Sequence, residues 1–281
     1  KAFLTEKEAQ EWAKPRGSSY IVKEKYFSSN ESTRMNNKPV YAQTTFLPRM
    51  YYTSGNPNDP KIAAYKNWSG YDASDVTDSD ELGTDGLRLP RFGENMTYMF
   101  SYQMNWMYWR YFMWNFAGRQ NDFQGHGDEM RGNWISGYSF IDDVRLGNQE
   151  HAPFYTLENP AHNNFWMLPL VLGVIGVIFH FYRAPKDAFI VFLTFFFTGI
   201  AIVIYLNQKP FEPRERDYIY VGSFYAFAIW IGLGVLAIKE FLEKKLNPKM
   251  AGIAATVIAM LGAPVLMAAQ GWDNHDRSSK M

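Results

Sequence analysis

Residues 98–122 read YMFSYQMNWMYWRYFMWNFAGRQND. The stretch carries three of the chain's nine tryptophans and ends in a polar cluster, Arg119, Gln120, Asn121 and Asp122. Its one interior charge, Arg110, sits among Tyr108, Trp109, Tyr111 and Phe112. From Met96 to Phe116 there is neither glycine nor proline, so a helix is expected. Apolar side chains occupy nearly every face of it, and periodicity selects no single buried side. A soluble core rarely combines so many aromatics with one arginine and unpaired amides. A hydrocarbon span would carry Arg110 at a cost of about 2.5–3.5 kcal/mol on insertion scales. Aromatic rings with polar tips suit a membrane–water boundary. The reading is therefore a helix over 96–117 at the interface or packed on other membrane helices, with a fifth span as the alternative.

Downstream, four apolar runs decide the fold class. They are Phe165–Tyr182, Ala188–Leu206, Tyr218–Ile238 and Met250–Ala269, of 18, 19, 21 and 20 residues, and none contains Asp, Glu, Lys or Arg. At about 1.5 Å per residue each is long enough to cross roughly 30 Å of hydrocarbon. Aromatic residues mark several ends, among them Phe165, Trp166, Tyr182, Tyr205, Tyr218 and Tyr220. The mean hydropathy of −0.29 averages this region with a polar, turn-rich first half. The expected fold is mainly α: a polytopic membrane protein with four transmembrane helices over 165–269, preceded by an irregular, aromatic-rich interfacial and extracytoplasmic region. The remaining pieces are a polar arm over 1–95, a loop over 118–164, and the start of a further extracytoplasmic part over 270–281.

Loop charge sets the expected sidedness. Residues 183–187 and 239–249 share one side and hold six basic residues in 16, whereas 207–217 and 270–281 hold five in 23. The positive-inside rule places the first pair in the cytoplasm. The expected location is thus the cytoplasmic (inner) membrane, with 118–164, 207–217 and 270–281 outside. Equal numbers of basic and acidic side chains, 28 each, give no bulk field for nucleic acid, and the absence of cysteine excludes disulfides and thiolate metal sites.

Within the N-terminal arm, Thr5 to Glu8 has capping-box spacing for a helix over 6–13, and residues 20–52 read as short strands or extended arms. Asp72 to Asp85 holds six acidic residues and no basic one. Part of it matches a calcium loop, but Leu82 and Leu89 occupy positions that need oxygen ligands, so a solvated acidic loop is favoured. His126, Asp128 and Glu129 are too few and too adjacent to make a metal site. His180, near the end of its run, reads as interfacial rather than as a proton relay.

The chemistry-bearing connection is residues 208–218, QKPFEPRERDY. Two prolines stiffen it. Arg214 and Arg216 offer planar donor forks suited to phosphate, and Glu215 and Asp217 are placed to orient them. It is expected on the same face as Arg119 and Asp122. Two arginine- and carboxylate-bearing clusters at one membrane surface point to an anionic headgroup. A salt-bridge network that only fixes loop and helix is the competing reading.

Residues 102–122 (YQMNWMYWRYFMWNFAGRQND), 46–51 (FLPRMY), 208–228 (QKPFEPRERDYIYVGSFYAFA) and 272–278 (WDNHDRS) together resemble a family of large bacterial multi-pass membrane proteins related to the transmembrane protein O-mannosyltransferases. The resemblance covers most of residues 46–278. It implies a GT-C-type glycosyltransferase that moves a mannose-like sugar from a polyprenyl-phosphate carrier to Ser or Thr of an acceptor protein, without a cofactor, on the extracytoplasmic side. In that class the base is an acidic residue of the first outer loop, which is expected upstream, so this segment on its own is expected to be inactive. Arg119, Arg214 and Arg216 would then contact the donor phosphate, with Asp122, Glu215 and Asp217 orienting them. A non-catalytic membrane scaffold or secretion-associated component is the alternative; a transporter is disfavoured because the four runs carry no charge.

Overall fold

The computed structural model describes residues 59–77, 80, 87–211 and 216–275, all within one compact unit, Pro48–Met281. The helix over 6–13, the extended pieces of 20–52 and the 46–51 motif lie outside the described residues, as do Arg214 and Glu215.

Helix α1 (Pro60–Ser69) starts where Asp59 accepts the Lys61 N–H, with proline in its first turn, and ends at Gly70 in the left-handed conformation. A two-arginine clasp follows. Arg88 is fully buried, grips Glu94 with both terminal nitrogens at 2.6 and 3.0 Å, and lies over the Tyr71 ring. Arg91 bridges Asp80 at 2.7 Å and Asp75 at 3.3 Å. The Arg91 contact, with the Thr77 donors, holds the Asp80 carboxyl well below its usual range. The described part of the acidic segment is therefore tied down by arginines as well as facing solvent.

The helix expected from Met96 to Phe116 is present and begins earlier. Glu94 accepts the Arg91 backbone N–H, and α2 (Phe92–Tyr98), a π-helical stretch (Met99–Trp109) and α3 (Arg110–Phe116) follow one another directly. Tyr98, Tyr102 and Trp106 face α1, where Tyr98 meets Tyr65 and the other two meet Trp68. On another side Tyr108, Phe112 and Phe116 form the main core with Val203, Tyr220, Phe224, Phe227 and Trp230. This explains the missing amphipathic stripe: the helix has protein on several sides.

Three stretches are long and apolar enough to cross a membrane: Pro185–Leu206, Asp217–Leu242 and Pro248–Trp272. The first comprises α7 (Pro185–Thr198) and α8 (Ile200–Leu206), broken at Gly199. Thr194 and Thr198 hydroxyls bond back to the Ile190 and Thr194 carbonyls just before the break. The second is a 3₁₀ turn (Asp217–Tyr220) and α9 (Val221–Leu242). The third is α10 (Pro248–Met260), a π-helical stretch (Leu261–Val265) and α11 (Leu266–His275). The π-helical stretch contains Pro264, whose missing N–H and ring disrupt regular α-helical bonding.

The run Phe165–Tyr182, expected as one of four spans, forms the 16-residue apolar helix α6 (Leu168–Arg183), shorter than the three above. Trp166 and Met167 have φ of 47° and 56°, and Asn164 Oδ1 accepts the Trp166 N–H, so the helix cannot start before Leu168. α6 packs along α9, which also carries α7 and α10. The backbones approach at glycines: a methyl group on Gly176 would lie 1.8 Å from the Trp230 carbonyl oxygen, and one on Gly234 2.4 Å from that of Leu172. Small residues allow such contact where lipid supplies no hydrophobic drive between helices. His180 accepts the Trp230 indole N–H at 3.2 Å.

Residues 118–164, expected as loop, form an ordered lobe. Strand β1 (Gly118–Arg119) pairs antiparallel with β2 (Asn163–Asn164), and short helices α4 (Ser139–Leu146) and α5 (Phe154–Leu157) lie between them. Fully buried amides accompany the buried apolar residues Ile135, Leu146 and Ala161. Gln120 binds the Glu129 carbonyl, Gln149 and Asn133, while Asn121 binds the Met130 carbonyl and accepts from Gly132.

Candidate anion site at the bundle end

Ion pairing and hydrogen bonds sort the connections into two ends. Arg183 meets Glu240 at 2.8 Å, so 183–187 and 239–249 share one end. At the other, Tyr98 and Tyr102 donate to the Gln208 and Lys209 carbonyls, and Gln103 donates to Asn207 and the Gln208 carbonyl. The Arg216 backbone N–H donates to the Tyr111 hydroxyl.

At that second end a cavity of about 430 Å³ is lined by Trp114, Arg119, Asn163, Asp217, Trp272 and His275, among others. Each part has a local cause. α3 ends at Phe116, and the β1–β2 pairing then fixes Arg119: its backbone N–H donates to Asn163 Oδ1 and its Nε to the Ala161 carbonyl. Its guanidinium also lies 5.4 Å from the Trp114 ring centroid. Asp217 opens the 3₁₀ turn before α9, and Trp272 and His275 come from the last turns of α11.

Arg119 is half-buried, and burial pushes its guanidinium below the ordinary value while Asp122 and Asp217 oppose the shift. The group remains a cation with weakened hydration, which raises its affinity for an anion. Among the described residues the terminal nitrogens of Arg119 have no protein acceptor. Trp114 Nε1 is buried and lacks an acceptor too. The terminal nitrogens of Arg119, in a cavity that the Trp114 ring also lines, fit a ligand that supplies oxygen lone pairs. The carboxylate of Asp217 is available to orient the arginine.

The sequence-derived residues separate accordingly. Arg119 and Asp217 come together. Asp122 accepts a hydrogen bond from Asn159 and acts on Arg119 only through its charge. Arg216 adjoins the site through its backbone, and its side chain is not among the cavity's lining groups. Trp114, Asn163, Trp272 and His275 were not singled out as site residues; the 272–278 motif was the sequence signal for the last two. His126 packs its ring 4.9 Å from that of Phe211, and Asp128 accepts the Met130 backbone N–H. No cluster of three His, Asp or Glu suited to a metal occurs among the described residues.

A family model described as a family of unknown function, DUF8416, matches residues 2–100. The matched region ends at the first residues of the π-helical stretch, before Arg110, Arg119 and Asp217. No curated protein and no solved structure matches the chain.

Proposed function

We propose that this chain belongs to a membrane glycosyltransferase of the GT-C type and that the cavity holds the phosphate of a polyprenyl-phosphate-linked sugar. The observation that carries this is Arg119, a partly desolvated cation whose terminal nitrogens have no protein acceptor among the described residues, lining a cavity at the end of apolar helices. In the transfer, the acceptor hydroxyl oxygen bonds to the anomeric carbon as the carbon–phosphate oxygen bond breaks. The departing phosphate takes the electron pair, and a base takes the hydroxyl proton. Arg119 stabilises the phosphate charge, and Asp217 orients the arginine. Arg214 and Arg216 are proposed as further phosphate contacts with Glu215 orienting them, and Asp122 adds its field at Arg119.

In this reading α6 completes a set of four spans, with residues 165–167 in the headgroup zone. The cavity opens outward from the inner membrane, and an acceptor protein presents Ser or Thr there. Both follow from loop charge and from Trp166 and Tyr182 at the two ends of α6.

The test is titration of the chain in lipid nanodiscs with a long-chain polyprenyl phosphate, beside the matching polyprenol and inorganic phosphate. The phosphorylated lipid should bind, the polyprenol at least tenfold more weakly, and Arg119→Ala should remove most of the difference. Equal binding of phosphate and alcohol, or an unaffected Arg119→Ala variant, overturns the site. A membrane scaffold is the competing reading, favoured by Gln120 and Asn121, whose amides are absorbed by the lobe's own backbone. It is the outcome if no lipid phosphate binds and no sugar moves from a polyprenyl-phosphate donor to a Ser/Thr peptide.

A further inference from the structure

Helix α4 buries a carboxylate and exposes two large apolar side chains. Its polar residue Asp142 is buried, and its carboxylate accepts the backbone N–H groups of Ser136 and Gly137 at 2.9–3.0 Å. Leu146 is buried on the same side, and Arg145 lies 3.7 Å over the Trp134 ring. These contacts fix the rotation of the helix. In consequence Phe140 and Val144, one turn apart, face outward at 74% and 85% exposure. A surface helix of a water-soluble domain has the opposite arrangement.

The exposed pair continues a surface already apolar for another reason. The Tyr138 hydroxyl donates to the Trp166 carbonyl, and the Tyr138 and Phe140 rings are 5.8 Å apart. Trp166 and Leu168 stand at the foot of α6, whose outer face carries exposed Val171, Val174 and Ile178. Tyr138 and Trp166 therefore join α4 to the end of an apolar helix face, with aromatic residues at the junction as at a headgroup boundary.

We infer that α4 is a membrane-interface anchor: Phe140 and Val144 insert into the headgroup–acyl boundary of the bilayer beside α6. This holds the 118–164 lobe flat against the membrane surface. The inference is independent of whether the cavity binds phosphate.

The chain has no cysteine, so single cysteines can be placed without background. Phe140→Cys, Val144→Cys, Asp143→Cys and Val171→Cys would each carry a nitroxide label in protein reconstituted into phosphatidylcholine–phosphatidylglycerol vesicles. Collision with oxygen and with a water-soluble nickel chelate is then measured. Labels at 140 and 144 should resemble that at 171, with oxygen collision exceeding nickel collision at least threefold, and the label at 143 should show the reverse. If 140 and 144 match 143, the face is bathed in water and the inference fails. If they are closed to both reagents, protein covers them, from a second copy or another segment, and the inference fails equally.

Discussion

Arg110 has 2% of its surface exposed in a chain whose membrane-length helices carry no charge in their apolar runs. Its Nε donates to the Trp106 carbonyl and its Nη1 to that of Gly132, both at 2.9 Å. The guanidinium lies 4.2–4.7 Å from the ring centroids of Trp106, Tyr111 and Trp114. Burying a cation costs several kcal/mol, and a fork-shaped donor between desolvated rings recovers much of it at about 2 kcal/mol or more per good cation–π contact. The planar fork suits this geometry, because two of its nitrogens reach two different carbonyls at once. Arg110→Lys should therefore leave one buried carbonyl without its donor and lower stability by roughly 1–3 kcal/mol. Thermal unfolding in detergent checks this, and an unchanged midpoint would show that charge alone suffices. Arg119, nine positions on, differs in having a single backbone acceptor, and the difference is what makes one arginine structural and the other a candidate ligand group.

Between elements, α6 and α9 approach each other closely at glycines. Gly176 leaves no room for a methyl group beside the Trp230 carbonyl, whereas Gly232, on the same α9, has nothing within 4 Å of where its Cβ would be. The two substitutions should separate cleanly. Gly176→Ala must push the helices apart and should cost about 1–3 kcal/mol, as overpacking generally does. Gly232→Ala meets no neighbour and should be neutral or stabilising by up to about 1 kcal/mol through helix propensity. Unfolding midpoints of the two variants in one detergent provide the comparison; equal losses would mean that the backbone contact does not limit packing. The long helix 92–116 belongs to this scale as well. With α1 on one side and α7 to α9 on another, it ties the polar first half of the described chain to the apolar second half.

For the molecule as a whole, the connections assort by end. Arg183 and Glu240 pair at one, and Arg119, Asp217, Trp272 and His275 line a cavity at the other. With the loop charges, this predicts that Lys245 is cytoplasmic and Glu158 is outside. In intact cells, a membrane-impermeant thiol reagent should label Glu158→Cys at once and Lys245→Cys only after permeabilisation. The reverse order would turn the protein over and place the cavity on the cytoplasmic side.

The sequence by itself determined the apolar helices, within a few residues at each end. It did so because a segment in lipid must satisfy its backbone internally, which makes helix formation a property of local composition. It also marked residues 98–122 as anomalous without giving the cause. Only the tertiary structure decided that these aromatics face α1 and the bundle together, that α6 starts late at Leu168, and that residues 118–164 are an amide-held lobe. The same is true of the cavity. Arg119 and Asp217 were legible as charges at one surface, but Trp114 and Asn163 joined them only through the β1–β2 pairing and the seating of α11 beside β2. Such contacts depend on how helices pack and turn, and no local pattern of residues encodes that geometry.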